Sequence, residues 1–220
     1  MKPTKATPIE LVVLVSGSGT NLQAILDAIE EKRLAAHVRL VISNVEGAKA
    51  LDRAHEANVK TKVLPHKSFS SRAEFDTALT ELAKDALADT TRGWIVLAGF
   101  MRILSPAFLD AFRNRVVNIH PALLPSFPGT HAQKQALDKG VRISGCTVHL
   151  VDAGTDTGPI LAQTAVPVLD SDDEPALTAR ILAQEHELLP TVLQWIAEDR
   201  LRFVDGRPCF EGVVHTLSGT

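Results

Sequence analysis

The feature that most limits the fold is the join at residues 11–29. Leu11-Val12-Val13-Leu14-Val15 is an unbroken apolar run. Such a run suits a strand buried on both faces, as in a parallel sheet covered by helices. Ser16-Gly17-Ser18-Gly19-Thr20-Asn21 follows at once, and Leu22, Ile25, Leu26 and Ile29 then recur at helical spacing. A strand, a glycine turn and a helix in direct succession predict the first unit of a Rossmann-like α/β fold.

The alternation continues along the chain. Strands are expected at His37 to Ile42, around Val63, at Trp94 to Leu97 and at Val116 to Ile119. Helices are expected at Asn21 to Leu34, Lys49 to Ala57, Ser70 to Ala88, and from Pro106 through Phe112. Short right-handed crossovers then give a mostly parallel sheet with helices on both faces. The second half changes character. Residues 120–131, HPALLPSFPGTH, form a long loop, and Gln133 to Lys139 a short helix. Gly145 to Val151 and Ile160 to Val168 read as a hairpin, an antiparallel C-terminal extension of the sheet. Pro175 to Glu198 reads as a long helix that Pro190 should bend or break. The tail to Thr220 is expected to add a short edge hairpin. With 220 residues, 45% of them apolar, and no linker or repeat, one domain over 1–220 is expected.

Composition removes whole classes of function. The charges balance to -3, which argues against a broad nucleic-acid face. No apolar run approaches membrane-spanning length, and MKPTKATPIE has no signal-peptide stretch, so a cytoplasmic location is expected. The two cysteines, Cys146 and Cys209, have no CxxC spacing, and no histidines pair as HxxxH. A zinc site is not expected.

Four segments carry candidate chemistry. In the first, the glycines of residues 16–21 let a ligand approach the backbone at a helix N-terminus, which suits a phosphate. A tight turn with a helix cap is the plainer alternative. Leu22 replaces the third glycine of a dinucleotide fingerprint, and no carboxylate follows Ser43-Asn44. A monophosphate therefore fits better than NAD. The second candidate is Asn118-Ile119-His120-Pro121, at the end of the fifth strand. Alternation puts Asn118 and His120 on one side, as an amide donor and a titratable ring. A structural, hydrogen-bonded histidine is the alternative there.

The third candidate is the turn Asp152-Ala153-Gly154-Thr155-Asp156-Thr157-Gly158-Pro159. Either it is an ordinary hairpin loop, or one of its carboxylates sits beside His120 and holds the imidazolium form. The fourth is Leu97 to Leu104, whose apolar residues either belong to the core or line a slot for a flat ring.

In this order and spacing, these segments resemble the phosphoribosylglycinamide formyltransferases, a folate-dependent formyltransferase family. The resemblance rests on Val13 to Ile25, Val96 to Pro106, Asn118 to Pro125 with Phe127-Pro128-Gly129, Thr147-Val148-His149, Asp156 to Ile160, and Gln184-Glu185-His186. It implies transfer of a formyl group from 10-formyltetrahydrofolate to the amine of glycinamide ribonucleotide, in purine biosynthesis. It also implies a catalytic trio of Asn118, His120 and Asp156. Gly19, Thr20, Asn21 and Glu185 would hold the ribonucleotide. Arg72, Met101, Arg102, Ile103 and Leu104, with Asn118, would hold the folate. The N-terminal half would then bind the ribonucleotide and the C-terminal half the folate, without a metal, nucleic acid or membrane, in a monomer or homodimer. Cys146, Ala122 and Thr157 depart from the family pattern, and Thr157 is expected to stiffen the Asp156 loop. A methionyl-tRNA formyltransferase would need a further RNA-binding domain, and a formyltetrahydrofolate hydrolase an extra N-terminal one.

Overall fold

The computed structural model describes residues 6–213. Its elements are β1 (Ile9–Val15), α1 (Thr20–Glu30), β2 (Ala36–Ser43), α2 (Lys49–Glu56), β3 (Thr61–Val63), α3 (Arg72–Ala86), β4 (Gly93–Leu97), α4 (Pro106–Ala111), β5 (Val116–His120), α5 (Ala132–Asp138), β6 (Ile143–Leu150), β7 (Ile160–Pro167), α6 (Glu174–Ala197), β8 (Leu201–Val204) and β9 (Arg207–Phe210). A 3₁₀ turn, His66–Ser68, precedes α3.

Seven strands form one sheet in the order β3-β2-β1-β4-β5-β6-β7. The first five run parallel, β6 pairs antiparallel with β5, and β7 pairs antiparallel with β6. The apolar run of β1 explains why both sheet faces are covered. Leu11, Val13 and Val15 enter one core, and Val12 and Leu14 enter the other. The first core is closed by α1, α2 and α6, through Leu22, Ala50, Leu189 and Val192 among others. The second is closed by α3 and α4, through Phe75, Leu79 and Phe108. Successive strands run outward from β1 to β2 and from β4 to β5, so the order reverses between β1 and β4. In such sheets the crevice at the carboxyl edge beside the reversal is where ligands bind.

Helix starts follow local chemistry. Ser71 caps α3 by accepting from Glu74 N–H, Ser105 caps α4 with Pro106 beside it, and Asp173 caps α6 with Pro175 in its first turn. The break that Pro190 could cause does not occur: α6 runs on through it. A mid-helix proline costs about 3 kcal/mol. Leu188, Leu189, Val192, Leu193 and Ile196 are all buried along the same helix. At roughly 1.5–3 kcal/mol for each, their burial outweighs that cost. The expected hairpin after α6 is present as β8 and β9. It forms its own two-stranded sheet rather than an edge of the main one, and residues 214–220 lie outside the described residues.

Candidate active site

The carboxyl edge gathers the loops after β1, β4 and β5. The turn after β1 ends at Gly19, which is left-handed at φ 72° and caps α1 without a side-chain bond. The amides of Ser18, Gly19 and Thr20 donate to no acceptor among the described residues. Asn21 donates from Nδ2 to Glu185 Oε2 at 2.7 Å, joining the start of α1 to α6. Both residues are buried, and burial pushes the Glu185 carboxyl up to about 6, against the Asn21 bond. A cavity of about 280 Å³ opens beside this turn, lined by Thr20, Gln23, Asp27, Arg53 and His186. A larger one, about 320 Å³, lies at the amino ends of β1 and β4 around Ile9, Arg92 and Trp94. None of the candidate residues lines it.

The loop after β4 is tied to the loop after β1. Met101 N–H donates to Ser16 Oγ at 2.9 Å, and Ser16 Oγ donates to Asn44 Oδ1 at 2.6 Å. Arg72, at the start of α3, donates from Nη2 to the carbonyls of Ile103 (2.8 Å) and Leu104 (3.0 Å). Met101 is 73% exposed and Ile103 53%, so both offer apolar surface at this edge. Leu104 differs, because its side chain is buried in the α3–α4 core. Arg102 lies over the Phe75 ring at 5.0 Å.

The third group sits on β5 and β6. In register, Asn118 faces His149 and His120 faces Thr147, so four polar side chains share one sheet face. Thr147 Oγ1 donates to Ala122 O at 2.6 Å and accepts from Leu124 N–H at 3.0 Å. The proline-rich loop is thereby fixed over the site. His120 is buried, and its Nε2 lies 2.8 Å from Phe127 O. A carbonyl only accepts, so Nε2 carries the proton of the neutral ring. Nδ1 lies 3.3 Å from Asp156 Oδ2.

The turn containing Asp156 is more than a solvated hairpin loop. Asp152 does bond its own loop, accepting from Gly154 N–H and Thr157 Oγ1. Asp156, at φ 54°, instead reaches outward: Oδ2 accepts from Gly129 N–H at 2.8 Å, and Oδ1 lies 3.7 Å from His149 Nε2. His149 Nδ1 faces Leu150 O at 2.9 Å and so carries a proton, and in the neutral ring Nε2 accepts from Asn118 Nδ2 at 3.1 Å. The chain of contacts is therefore Asn118, His149, Asp156, His120. His149 is the residue the sequence reasoning gave no role. Its signal was the Thr147-Val148-His149 alternation opposite Asn118-Ile119-His120.

Burial pushes His120 below the ordinary histidine value, although the Phe127 carbonyl and Asp156 both pull upward. Asp156 thus favours the imidazolium, against the burial of the ring. Burial raises the Asp156 carboxyl, but its contacts with His149, Gly129 N–H and His120 more than offset this, and the net shift is downward. An ionised carboxylate beside a poised histidine can pass one proton and support charge on a neighbouring group.

The candidate residues do not sort by halves of the chain. Asn21 meets Glu185, and Arg72 meets Ile103 and Leu104. Among the described residues, no cluster of three or more His, Cys, Asp or Glu side chains is placed to hold a metal ion, and no helix is long and apolar enough to cross a membrane.

The chain is 42% identical over 204 residues to the phosphoribosylglycinamide formyltransferase of Escherichia coli strain K12, covering 93% of this chain and 94% of that one. A crystal structure of glycinamide ribonucleotide transformylase 1 from Symbiobacterium toebii superposes with a TM-score of 0.88 at 46% identity, covering 92% of this chain and 94% of that one. The trifunctional purine biosynthetic protein adenosine-3 of Drosophila pseudoobscura pseudoobscura is 50% identical over 196 residues, 88% of this chain but only 14% of that protein's length. Residues 9–193 match the family described as formyl transferase, and the chain belongs to that family.

Proposed function

We propose that this chain transfers the formyl group of 10-formyltetrahydrofolate to the amine of glycinamide ribonucleotide, giving formylglycinamide ribonucleotide and tetrahydrofolate in de novo purine biosynthesis. The observation that carries the reading is the reach of Asp156 out of its turn to His120, 3.3 Å away, and to Gly129 N–H. A turn of purely structural purpose has no reason to spend its carboxylate there.

The chemistry follows from the residue types. The substrate amine attacks the formyl carbon and a tetrahedral oxyanion forms. One N–H of Asn118 Nδ2 is held by His149, and the other is available to the oxyanion. His120, with Asp156 against Nδ1, takes up and returns a proton as charge develops. The amine loses one proton and N10 gains one as the C–N bond to the folate breaks, so the transfer balances without an added reagent. The phosphate sits on the amides of Gly19 and Thr20 at the α1 N-terminus, with Asn21 beside them and Glu185 toward the ribose. Arg72 and the 101–104 loop bound the pterin slot. Much of the acceleration comes from holding both substrates within reach. The partners are these two small molecules, with no metal and no nucleic acid, in a monomer or homodimer in the cytoplasm.

The test is an absorbance assay of 10-formyl folate consumption with and without glycinamide ribonucleotide. Consumption that requires the ribonucleotide supports the reading. Equal consumption without it overturns the reading in favour of a hydrolase.

A further inference from the structure

Three contacts bind the glycine turn after β1 to α2. Ala50 N–H donates to Gly17 O at 3.1 Å, and Arg53 Nε donates to Ser18 O at 2.9 Å. The Gly19 backbone lies directly against Ala50, since a Cβ built on Gly19 would stand 2.5 Å from Ala50 Cβ. Arg53 also donates from Nη1 to Gln23 Oε1 at 3.1 Å, reaching across to the first turn of α1. One guanidinium therefore ties the turn and the helix it feeds to a third element.

The consequence for the turn follows from peptide geometry. In a planar trans peptide, a carbonyl and the N–H of the next residue point in opposite directions. Drawing the Gly17 and Ser18 carbonyls toward α2 turns the N–H groups of Ser18 and Gly19 away from it. Those two amides, with that of Thr20, are the ones that donate to nothing among the described residues. They lie at the positive N-terminal end of α1, where an anion gains most.

We propose that α2 is the brace of this turn and that Arg53 is its positioning residue. By holding the Ser18 carbonyl, Arg53 fixes the direction of the Gly19 amide and thereby the affinity for the ribonucleotide phosphate, without carrying any part of the formyl chemistry. The inference rests on the reading of the turn as the phosphate subsite. A positioning role differs from a charge role in what lysine can do. Lysine keeps the charge but lacks the planar fork that holds Ser18 O and Gln23 Oε1 together.

The experiment is steady-state kinetics on the full chain with Arg53→Ala, Arg53→Gln and Arg53→Lys, using inorganic phosphate as a competitor against the ribonucleotide. Loss of a guanidinium hydrogen bond should raise the ribonucleotide KM and the phosphate inhibition constant together by about tenfold in Arg53→Ala and Arg53→Gln, with kcat and the folate KM within about twofold of wild type. Arg53→Lys should recover little of the loss. Phosphate competition that is clear in wild type and unchanged in the Ala and Gln variants overturns the brace while leaving the phosphate subsite standing. Full recovery by Lys overturns the positioning role, and an equal rise in the folate KM does the same. If phosphate fails to compete even in wild type, the subsite reading fails and the inference falls with it. Should Arg53→Ala not fold, the Gln variant carries the same readouts.

Discussion

Asn118 and His149 face each other across β5 and β6, with Nδ2 of the amide 3.1 Å from Nε2 of the ring. With Nδ1 of that ring donating to Leu150 O, the neutral ring accepts from the amide through Nε2, which orients the Asn118 side chain. Asn118→Ala should lower kcat by about 10²–10³-fold, the cost of one oxyanion donor. His149→Phe should lower it by about tenfold, because Asn118 keeps its amide and loses one hydrogen bond that aims it. Single-turnover rates at saturating substrate check both. Equal losses in the two variants would mean that His149 does more than orient the amide.

His120 and Asp156 should be separable by titration. Burial sets His120 below the ordinary histidine value while Asp156 pulls it upward. In an NMR titration of the ring proton, wild-type His120 should titrate below 6.5 and move lower still in Asp156→Asn. Turnover of Asp156→Asn and His120→Ala should fall far more than substrate binding. A His120 that titrates higher in Asp156→Asn would show that the carboxylate does not face the ring.

Glu185 should weaken the fold as pH rises. Its carboxyl is raised from 4.5 to about 6 by burial. The folded state therefore holds more protons than the unfolded state between those values, and stability falls as pH climbs through that window. The shift corresponds to about 2 kcal/mol at pH 7. Glu185→Gln removes the buried charge, still accepts from Asn21 Nδ2, and offers a donor to Asn21 Oδ1, which is buried without a partner. Urea unfolding should show Glu185→Gln more stable than wild type at pH 7.5 and nearly equal at pH 4.5. The same variant should bind ribonucleotide more weakly.

Gly19 allows no side chain. It is left-handed at φ 72°, and a Cβ would strike Ala50. Gly19→Val should raise the ribonucleotide KM at least tenfold, since the turn must move to admit it, and leave the folate KM near wild type. A change confined to the folate KM would mean that the two subsites are exchanged.

The two cysteines should react in sequence. Cys146 is buried, and burial pushes its thiol up to about 12, whereas Cys209 is exposed. A disulfide reagent at pH 8 should titrate one thiol rapidly in the native protein and two in denaturant.

Much of this was legible in the sequence because the signals were local. Apolar runs and helical spacing place the strands and helices of the first half within a few residues. The glycine turn and the Asn118–His120 alternation each lie within one segment. What depended on distant packing was not legible. Pro190 signals a break, and only the buried stripe of α6 against the sheet overrides it. His149 acquires its role through antiparallel register with Asn118, which no local pattern states. The direction of the His120 shift depends on how deeply the proline-rich loop covers the ring. Leu104 could belong to the core or line a slot on spacing alone, and its side chain faces the α3–α4 core.

The Asn21–Glu185 bond joins residues 164 positions apart. A chain made from its N-terminus lays down β1, the glycine turn and α1 early, and α6 near the end. The subsite proposed for the ribonucleotide therefore cannot be completed during most of synthesis, whatever the state of the N-terminal strands. Binding competence arrives in one late step, when the last long helix docks, so a ribosome-bound chain stalled before residue 185 holds a folded-looking turn with no partner for Asn21.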